Sequence, residues 1–224
     1  MKTYAIILAS GTGSRFGGEL PKQFTKIGGK TIFERTVEVF EGVHEIDGII
    51  LVITPNYTDF AKNLVLKNNY KKVSKIIAGG EQRKDSSYNG VFSIEDDEAN
   101  VLIHDCARPF ISKEVIKNCI KALDTYKAVG VAIPSTDTIV EVNSGIIKNI
   151  PKRETLMRIQ TPQCFKLSII KKAHELSKNE TEFTDDCGLI QKHALSDIFI
   201  IEGNRENIKI TYPEDIIFAE NFIK

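Results

Sequence analysis

Short β-branched runs recur along the chain: AIILA (5–9), GIILVIT (48–54), SKIIAG (74–79), VLIHD (101–105) and AVGVAIP (128–134). Each has the length of a single strand. Between them the apolar positions take helical spacing, over 31–41, 57–68, 83–93 and 113–125. Strand alternating with helix predicts an α/β fold, a mostly parallel sheet covered on both faces by helices in three layers. Ligands of such sheets bind beyond the carboxyl ends of the strands, where the loop after residue 9 falls and where those after 79 and 104 can join it. One segment departs from the alternation. DTIVEVNSGIIKNIPKRE (137–154) has the pattern of two short strands about an Asn143-Ser144-Gly145 turn. A lone hairpin is marginal in water, so it needs a packing partner: the edge of its own sheet, or a second subunit. No repeat, low-complexity tract or linker divides the 224 residues. The chain is read as one domain, 1–224, with 137–154 inserted as a β-arm.

Composition narrows the classes. Lys plus Arg balances Asp plus Glu at 30 each, which disfavours a nucleic-acid or membrane-surface protein but not a local cationic pocket. No apolar run reaches the length of a membrane span. The N-terminal stretch is too short in apolar residues for a signal peptide, so a cytoplasmic protein is expected. Cys106, Cys119, Cys164 and Cys187 show no paired spacing, which predicts free buried thiols rather than a structural zinc site.

The candidate chemistry begins at LASGTGSRFGGELPKQF (8–24), directly after the first strand. Gly11 and Gly13 allow backbone N–H groups to line one concavity, a nest suited to polyphosphate. Arg15 and Lys22 add positive charge, and Pro21 stiffens the approach to Lys22. Two look-alikes fail. GTGSRFG has its third glycine, Gly17, one place late for a dinucleotide fingerprint, and the second strand ends Ile53-Thr54-Pro55-Asn56 without an acid for a ribose. GGKT (28–31) imitates the end of a Walker loop but has Phe24 where the first glycine belongs. There Gly28-Gly29 is a turn, and Thr31 with Glu34 forms a capping box.

Seven motifs then resemble, in order, the CTP-dependent polyol-phosphate cytidylyltransferases, the family of the 2-C-methyl-D-erythritol 4-phosphate and ribitol-5-phosphate enzymes. They are the loop above, GGEQRKDSS (79–87), HDCARPF (104–110), DT (137–138), QTPQ (160–163), TDDC (184–187) and NIKITYPEDI (207–216), and they span essentially the whole chain. The resemblance implies a Rossmann-like nucleotidyltransferase sheet with a protruding arm. It implies that Leu8, Ala9, Ser10, Gly11, Thr12 and Gly13 wrap the triphosphate of CTP and that Gly80, Glu81 and Ser86 read cytosine. The family often has Asp where Glu81 stands. Arg15, Lys22 and Lys209 would face the reacting phosphates, and Asp105 would bind Mg2+ and substrate. Arg83 would hold its loop by a salt bridge, Arg108 would order the loop after the fourth strand, and His104 would be a packed histidine. Thr138 and Arg153 on the arm would complete the polyol-phosphate site of a second subunit in a homodimer with shared active sites, with Thr161 near the same substrate.

The implied reaction needs no triad, because a phosphate monoester is already a nucleophile at neutral pH. Its demand is to align two anions and neutralise them. For the acceptor, DTIVE (137–141) and IPKR (150–153) resemble the ribitol-type branch, with Val140-Glu141 and Met157 where the methylerythritol enzymes more often have a basic residue and an aromatic. The resemblance favours ribitol 5-phosphate or a related alditol phosphate, whereas HDCARP lies nearer the methylerythritol form. Methylerythritol phosphate, for isoprenoid synthesis, is the alternative. Two other classes compete: a nicotinamide oxidoreductase, disfavoured by the missing acid, and a non-catalytic nucleotide-binding protein, which would not require Arg15, Lys22, Asp105 and Lys209 together.

Overall fold

The computed structural model describes residues 1–11, 13, 16, 20–180 and 183–223. In β1 (Thr3–Ala9) the side chains alternate between faces: Ala5, Ile7 and Ala9 join one core, Ile6 and Leu8 the other. A short antiparallel pair follows, β2 (Lys26–Ile27) and β3 (Lys30–Thr31), turning at Gly28-Gly29. It delivers the chain to α1 (Ile32–Glu41). The Thr31 hydroxyl accepts from the Glu34 N–H at 3.0 Å, and the Glu34 carboxylate accepts from the Thr31 N–H at 2.8 Å. The anticipated capping box is therefore formed.

The alternation continues with β4 (Gly48–Ile53), α2 (Thr58–Asn68), β5 (Val73–Ala78), α3 (Arg83–Phe92), β6 (Asn100–Asp105), α4 (Lys113–Ala122) and β7 (Ala128–Pro134). After an exposed hairpin, β8 (Glu141–Asn143) and β9 (Ile146–Asn149), come β10 (Met157–Lys166), α5 (Leu167–Leu176), α6 (Asp186–Lys192), β11 (Ile198–Glu202) and α7 (Glu214–Glu220). The large sheet has the order β11-β7-β10-β6-β1-β4-β5. All its pairings are parallel except those of β10, which runs antiparallel to both neighbours. One core lies against α1, α2 and α4, around Phe33, Phe40, Ala61 and Ile116; the other lies against α3, α5 and α6, around Val91, Ile170 and Leu189. Phe33, Phe40 and Phe165 are wholly buried; truncation of such a ring to Ala costs about 3–5 kcal/mol.

This topology dictates where a ligand can enter. From β1 the chain proceeds to β4 on one side and later returns to β6 on the other. The strand order reverses between β1 and β6, and a crevice opens at their carboxyl ends. Leu8 stands beside Asp105 in the register, so the glycine-rich loop and the HDCARP motif emerge side by side.

The arm pairs only with itself. β8 and β9 form their own two-stranded sheet, turning at Ser144 and Gly145, and are not an edge of the main sheet. Val142, Ile146, Ile147 and Ile150 are each more than half exposed. All four cysteines are free and buried, as expected. No helix among the described residues is long and apolar enough to cross a membrane.

Candidate active site

A cleft of about 440 Å3 occupies the crevice. It is lined by the first loop (Leu8, Ala9, Ser10, Gly11, Gly13), by Lys22, by Gly80, Glu81, Arg83 and Ser86, by Asp105, and by Lys209 and Thr211 from the C-terminal strap. Four sequence-distant motifs thus meet at one place. Thr12, Arg15 and Gly17 lie outside the described residues.

Local chemistry explains how each part is held. Gly13 has φ of 70°, in the left-handed region that favours glycine, and its backbone turns against Lys22. The Lys22 ammonium donates to the Ile210 carbonyl at 2.8 Å, joining the first loop to the C-terminal strap. Gln23, to which the motifs assign no role, is buried and donates to the Ala9 carbonyl at 2.7 Å. Thr54 donates to the Ser10 carbonyl at 2.9 Å. The Ser86 and Ser10 hydroxyls lie 2.6 Å apart, and the Gly80 N–H donates to Ser86 at 3.1 Å. The two loops are so close that a Cβ at residue 79 would fall 2.2 Å from that of Ser10; Gly79 is therefore required.

Asp105 is the electrostatic centre. Its Oδ2 is 2.7 Å from the Lys209 ammonium and its Oδ1 accepts from Arg83 Nε at 3.0 Å. Burial alone would raise this carboxyl. The Arg83 guanidinium and the Lys209 ammonium, with Arg108 behind them, outweigh burial and hold it well below the usual carboxylate range. It is an anion throughout the physiological range. Lys209 reaches the cleft through Asp105, and Arg108 donates to the Asn207 carbonyl at 2.8 Å, tying the loop after β6 to the strap that carries Lys209.

Thr161 sits beneath this centre. It is 4% exposed and does not line the cleft. Its hydroxyl accepts from the Asp105 N–H and lies 3.0 Å from His104 Nδ1. His104 Nε2 is 3.1 Å from the Arg108 carbonyl, which can only accept, so Nε2 carries the proton and Nδ1 accepts from Thr161. Burial pushes the His104 pKa down to about 4, so the ring is neutral and structural. Thr138 and Arg153 are exposed on the arm and its base, and neither lines the cleft of its own chain.

One acid in the cleft, Asp105, is fixed by two cations, and Glu81 is the other carboxylate in the lining. No group of three or more metal-ligating side chains occurs among the described residues. The donor set therefore fits a hard cation held chiefly by phosphate oxygens with a single carboxylate, and does not fit an all-protein cage.

A doubly wound sheet with a glycine-bearing loop, convergent lysines and one carboxylate at its switch point defines a nucleotidyltransferase of the α/β class. Comparison with known proteins carries this to a family. The family described as IspD, 2-C-methyl-D-erythritol 4-phosphate cytidylyltransferase, matches residues 3–224, and the chain belongs to it. The chain is 42% identical over 225 residues to the 2-C-methyl-D-erythritol 4-phosphate cytidylyltransferase of Clostridium perfringens, covering 100% of this chain and 99% of that one. It is 42% identical over 230 residues to the bifunctional ribulose 5-phosphate reductase/CDP-ribitol pyrophosphorylase Bcs1 of Haemophilus influenzae, covering 100% of this chain but 48% of that protein, about half its length. The solved 4-diphosphocytidyl-2C-methyl-D-erythritol synthase of Anaerococcus prevotii superposes with a TM-score of 0.88 at 31% identity, over 99% of this chain and 96% of the other.

The protein is thus a CTP-dependent cytidylyltransferase whose second substrate is a phosphorylated sugar alcohol. The matches support the methylerythritol acceptor better than the ribitol one. That reverses the preference drawn from Val140-Glu141 and Met157. All three are exposed, and none lines the cleft of its own chain.

Proposed function

We propose that the chain transfers CMP from CTP to 2-C-methyl-D-erythritol 4-phosphate, releasing pyrophosphate. The observation that carries the reading is the convergence of Lys22, Lys209 and Asp105 around the first loop at the β1/β6 crevice. In this reading Leu8 to Gly13 wrap the triphosphate with their N–H groups, and Arg15 and Lys22 take up charge on the leaving pyrophosphate. Gly80, Glu81 and Ser86 read cytosine. Lys209 leaves Asp105 for the reacting phosphates. An acceptor phosphate oxygen attacks the α-phosphorus of CTP; the new P–O bond forms as the bond to the β-phosphate oxygen breaks, and the electron pair departs with pyrophosphate. No side chain need move a proton, so the rate rests on alignment and charge neutralisation. Bound Mg2+ would supply further neutralisation of the triphosphate, with Asp105 as its protein ligand.

The same reading makes the protein a homodimer. Arm residues 137–154 would cross to a second copy, burying Val142, Ile146, Ile147 and Ile150 and delivering Thr138 and Arg153 to its acceptor site. The four free thiols suit a reducing cytoplasm. Ribitol 5-phosphate is the second reading, favoured by the match to the Haemophilus protein. The test is pyrophosphate release with CTP and Mg2+ against methylerythritol 4-phosphate, ribitol 5-phosphate and glycerol 3-phosphate. A higher kcat/KM for methylerythritol 4-phosphate is expected; ribitol 5-phosphate used better would transfer the assignment to the second reading.

A further inference from the structure

Asp186 lines no part of the cleft, yet it grips the side chain that grips Asp105. It is 1% exposed. Its Oδ2 accepts from Arg83 Nη1 at 2.8 Å, while Arg83 Nε donates to Asp105 Oδ1 at 3.0 Å. One guanidinium therefore spans two carboxylates, one at the cleft and one buried behind it. Arg83 Nη2 is buried with no hydrogen-bond partner among the described residues. The rotation of the guanidinium is then set by these two carboxylates.

Asp186 is itself fixed from three sides. Its Oδ1 accepts from the Ser87 hydroxyl at 2.5 Å, and Ser87 Oγ lies 3.2 Å from His174 Nε2. The Asp186 N–H donates to Gln163 Oε1 at 2.8 Å. Ser87 comes from α3, His174 from α5 and Gln163 from the antiparallel strand β10. Lys84 adds a second tie, donating from α3 to the Ser177 carbonyl at 2.8 Å. These anchors need no bound nucleotide.

We infer that Asp186 is a positioning residue for cytidylyl transfer: it holds Arg83 with Nε toward Asp105, and so keeps the Asp105 carboxylate aimed into the cleft. The inference rests on the proposed reaction only for its kinetic consequence, because the geometry can be read without substrate. Loss of Asp186 would leave Arg83 Nη1 unpaired beside the already unpaired Nη2, and the guanidinium would turn from Asp105. A misplacement of about 1 Å set up away from the chemistry can cost up to about a hundredfold in turnover.

The experiment compares Asp186→Ala, Asp186→Asn and Ser87→Ala with the parent full-length chain. Hydrogen exchange at the Arg83 Nε–H is followed by NMR with 15N-arginine labelling, without ligand, and kcat and KM are measured with CTP and acceptor. In Asp186→Ala the Arg83 Nε–H should exchange at least about tenfold faster, and kcat should fall about tenfold or more while KM for CTP changes less than about threefold. Asp186→Asn keeps an oxygen for Arg83 and should lose less. Unchanged Arg83 exchange, or faster exchange with kcat within about twofold of the parent, overturns the inference. If Asp186→Ala does not fold, Asp186→Asn and Ser87→Ala decide it, and unchanged exchange in both overturns the inference equally. If the parent transfers CMP to no acceptor, the proposed reaction fails, and the exchange measurement alone judges the placement of Arg83.

Discussion

Thr161→Val removes one oxygen and little else, and its effect can be worked out from the contacts beneath Asp105. The hydroxyl satisfies the Asp105 N–H at 3.0 Å and the His104 Nδ1 at 3.0 Å. Thr161 is 4% exposed and His104 is fully buried, so water cannot replace the lost partner. Valine leaves a buried donor and a buried acceptor unpaired, at about 1–3 kcal/mol each. The extra methyl contact offsets part of this, and a net loss of about 2–4 kcal/mol is expected. For a chain of 224 residues, each kcal/mol lowers Tm by about 2–4 °C, giving a fall of roughly 5–15 °C. Thr161→Ser keeps the hydroxyl and should stay within about 5 °C. The assay is thermal unfolding of the parent and both variants, with steady-state kinetics in parallel. A support role predicts a fall in stability with reduced kcat. Direct contact with the acceptor, the role implied by the motif resemblance, predicts a raised acceptor KM with Tm unchanged. A valine variant as stable as the parent would refute the reasoning.

Lys22→Ala and Asp105→Ala should each lower kcat by about a hundredfold or more, the cost of one preorganised charge partner of about 3 kcal/mol, with near-normal rates at saturating CTP and Mg2+ counting against the assigned site. CTP should be turned over far better than ATP or GTP, with UTP the nearest competitor, because a pocket built to pair a small base leaves polar groups unpaired with the wrong one; equal use of ATP would contradict this. His104 has a pKa near 4 in the folded chain against 6.5 as its ordinary value, so the unfolded chain binds more protons between those values. Stability should therefore fall by about 1.4 kcal/mol per unit as pH drops from 6.5 toward 4, with no slope from this group above 6.5, measured by urea unfolding of the parent against His104→Gln. Mixing Lys22→Ala subunits with Arg153→Ala subunits should restore activity as they exchange, because one site of each mixed dimer carries neither lesion; exchange without recovery would show that Arg153 serves its own chain.

The first two-thirds of the sheet was legible because β1, β4, β6 and β7 carry buried, largely apolar runs, and β5 a shorter one after Ser74 and Lys75, with helical spacing between them. β10 was not. It carries Pro162 within a central strand, which ordinarily argues against one, and the sheet accommodates it with a shift of register between Ile159 and Gln163. β11, at the sheet edge, leaves Phe199 and Ile200 partly exposed and follows the short helix α6, so its signal is weak as well. At the site, Lys22, Asp105, Gly80 and Ser86 were legible because each sits in a motif at the end of a strand or the start of a helix. The partners that hold them were not. Gln23, Ser87 and Asp186 fall within the motifs, but they and Thr54 act across sequence separations of 14 to 103 residues, a pairing that local pattern cannot encode. Thr161 was visible as a motif residue, but its direction was not, because the register at the bulge decides whether it faces the cleft or the core.

The most direct test of cytidylyl transfer is 31P NMR of CTP, Mg2+ and 2-C-methyl-D-erythritol 4-phosphate incubated with the full-length chain. Transfer to this acceptor requires loss of the CTP and monoester signals and the growth of one coupled diphosphate-diester pair, in equal amount with pyrophosphate. CTP and monoester persisting unchanged, or CTP hydrolysed with no diester formed, would contradict it.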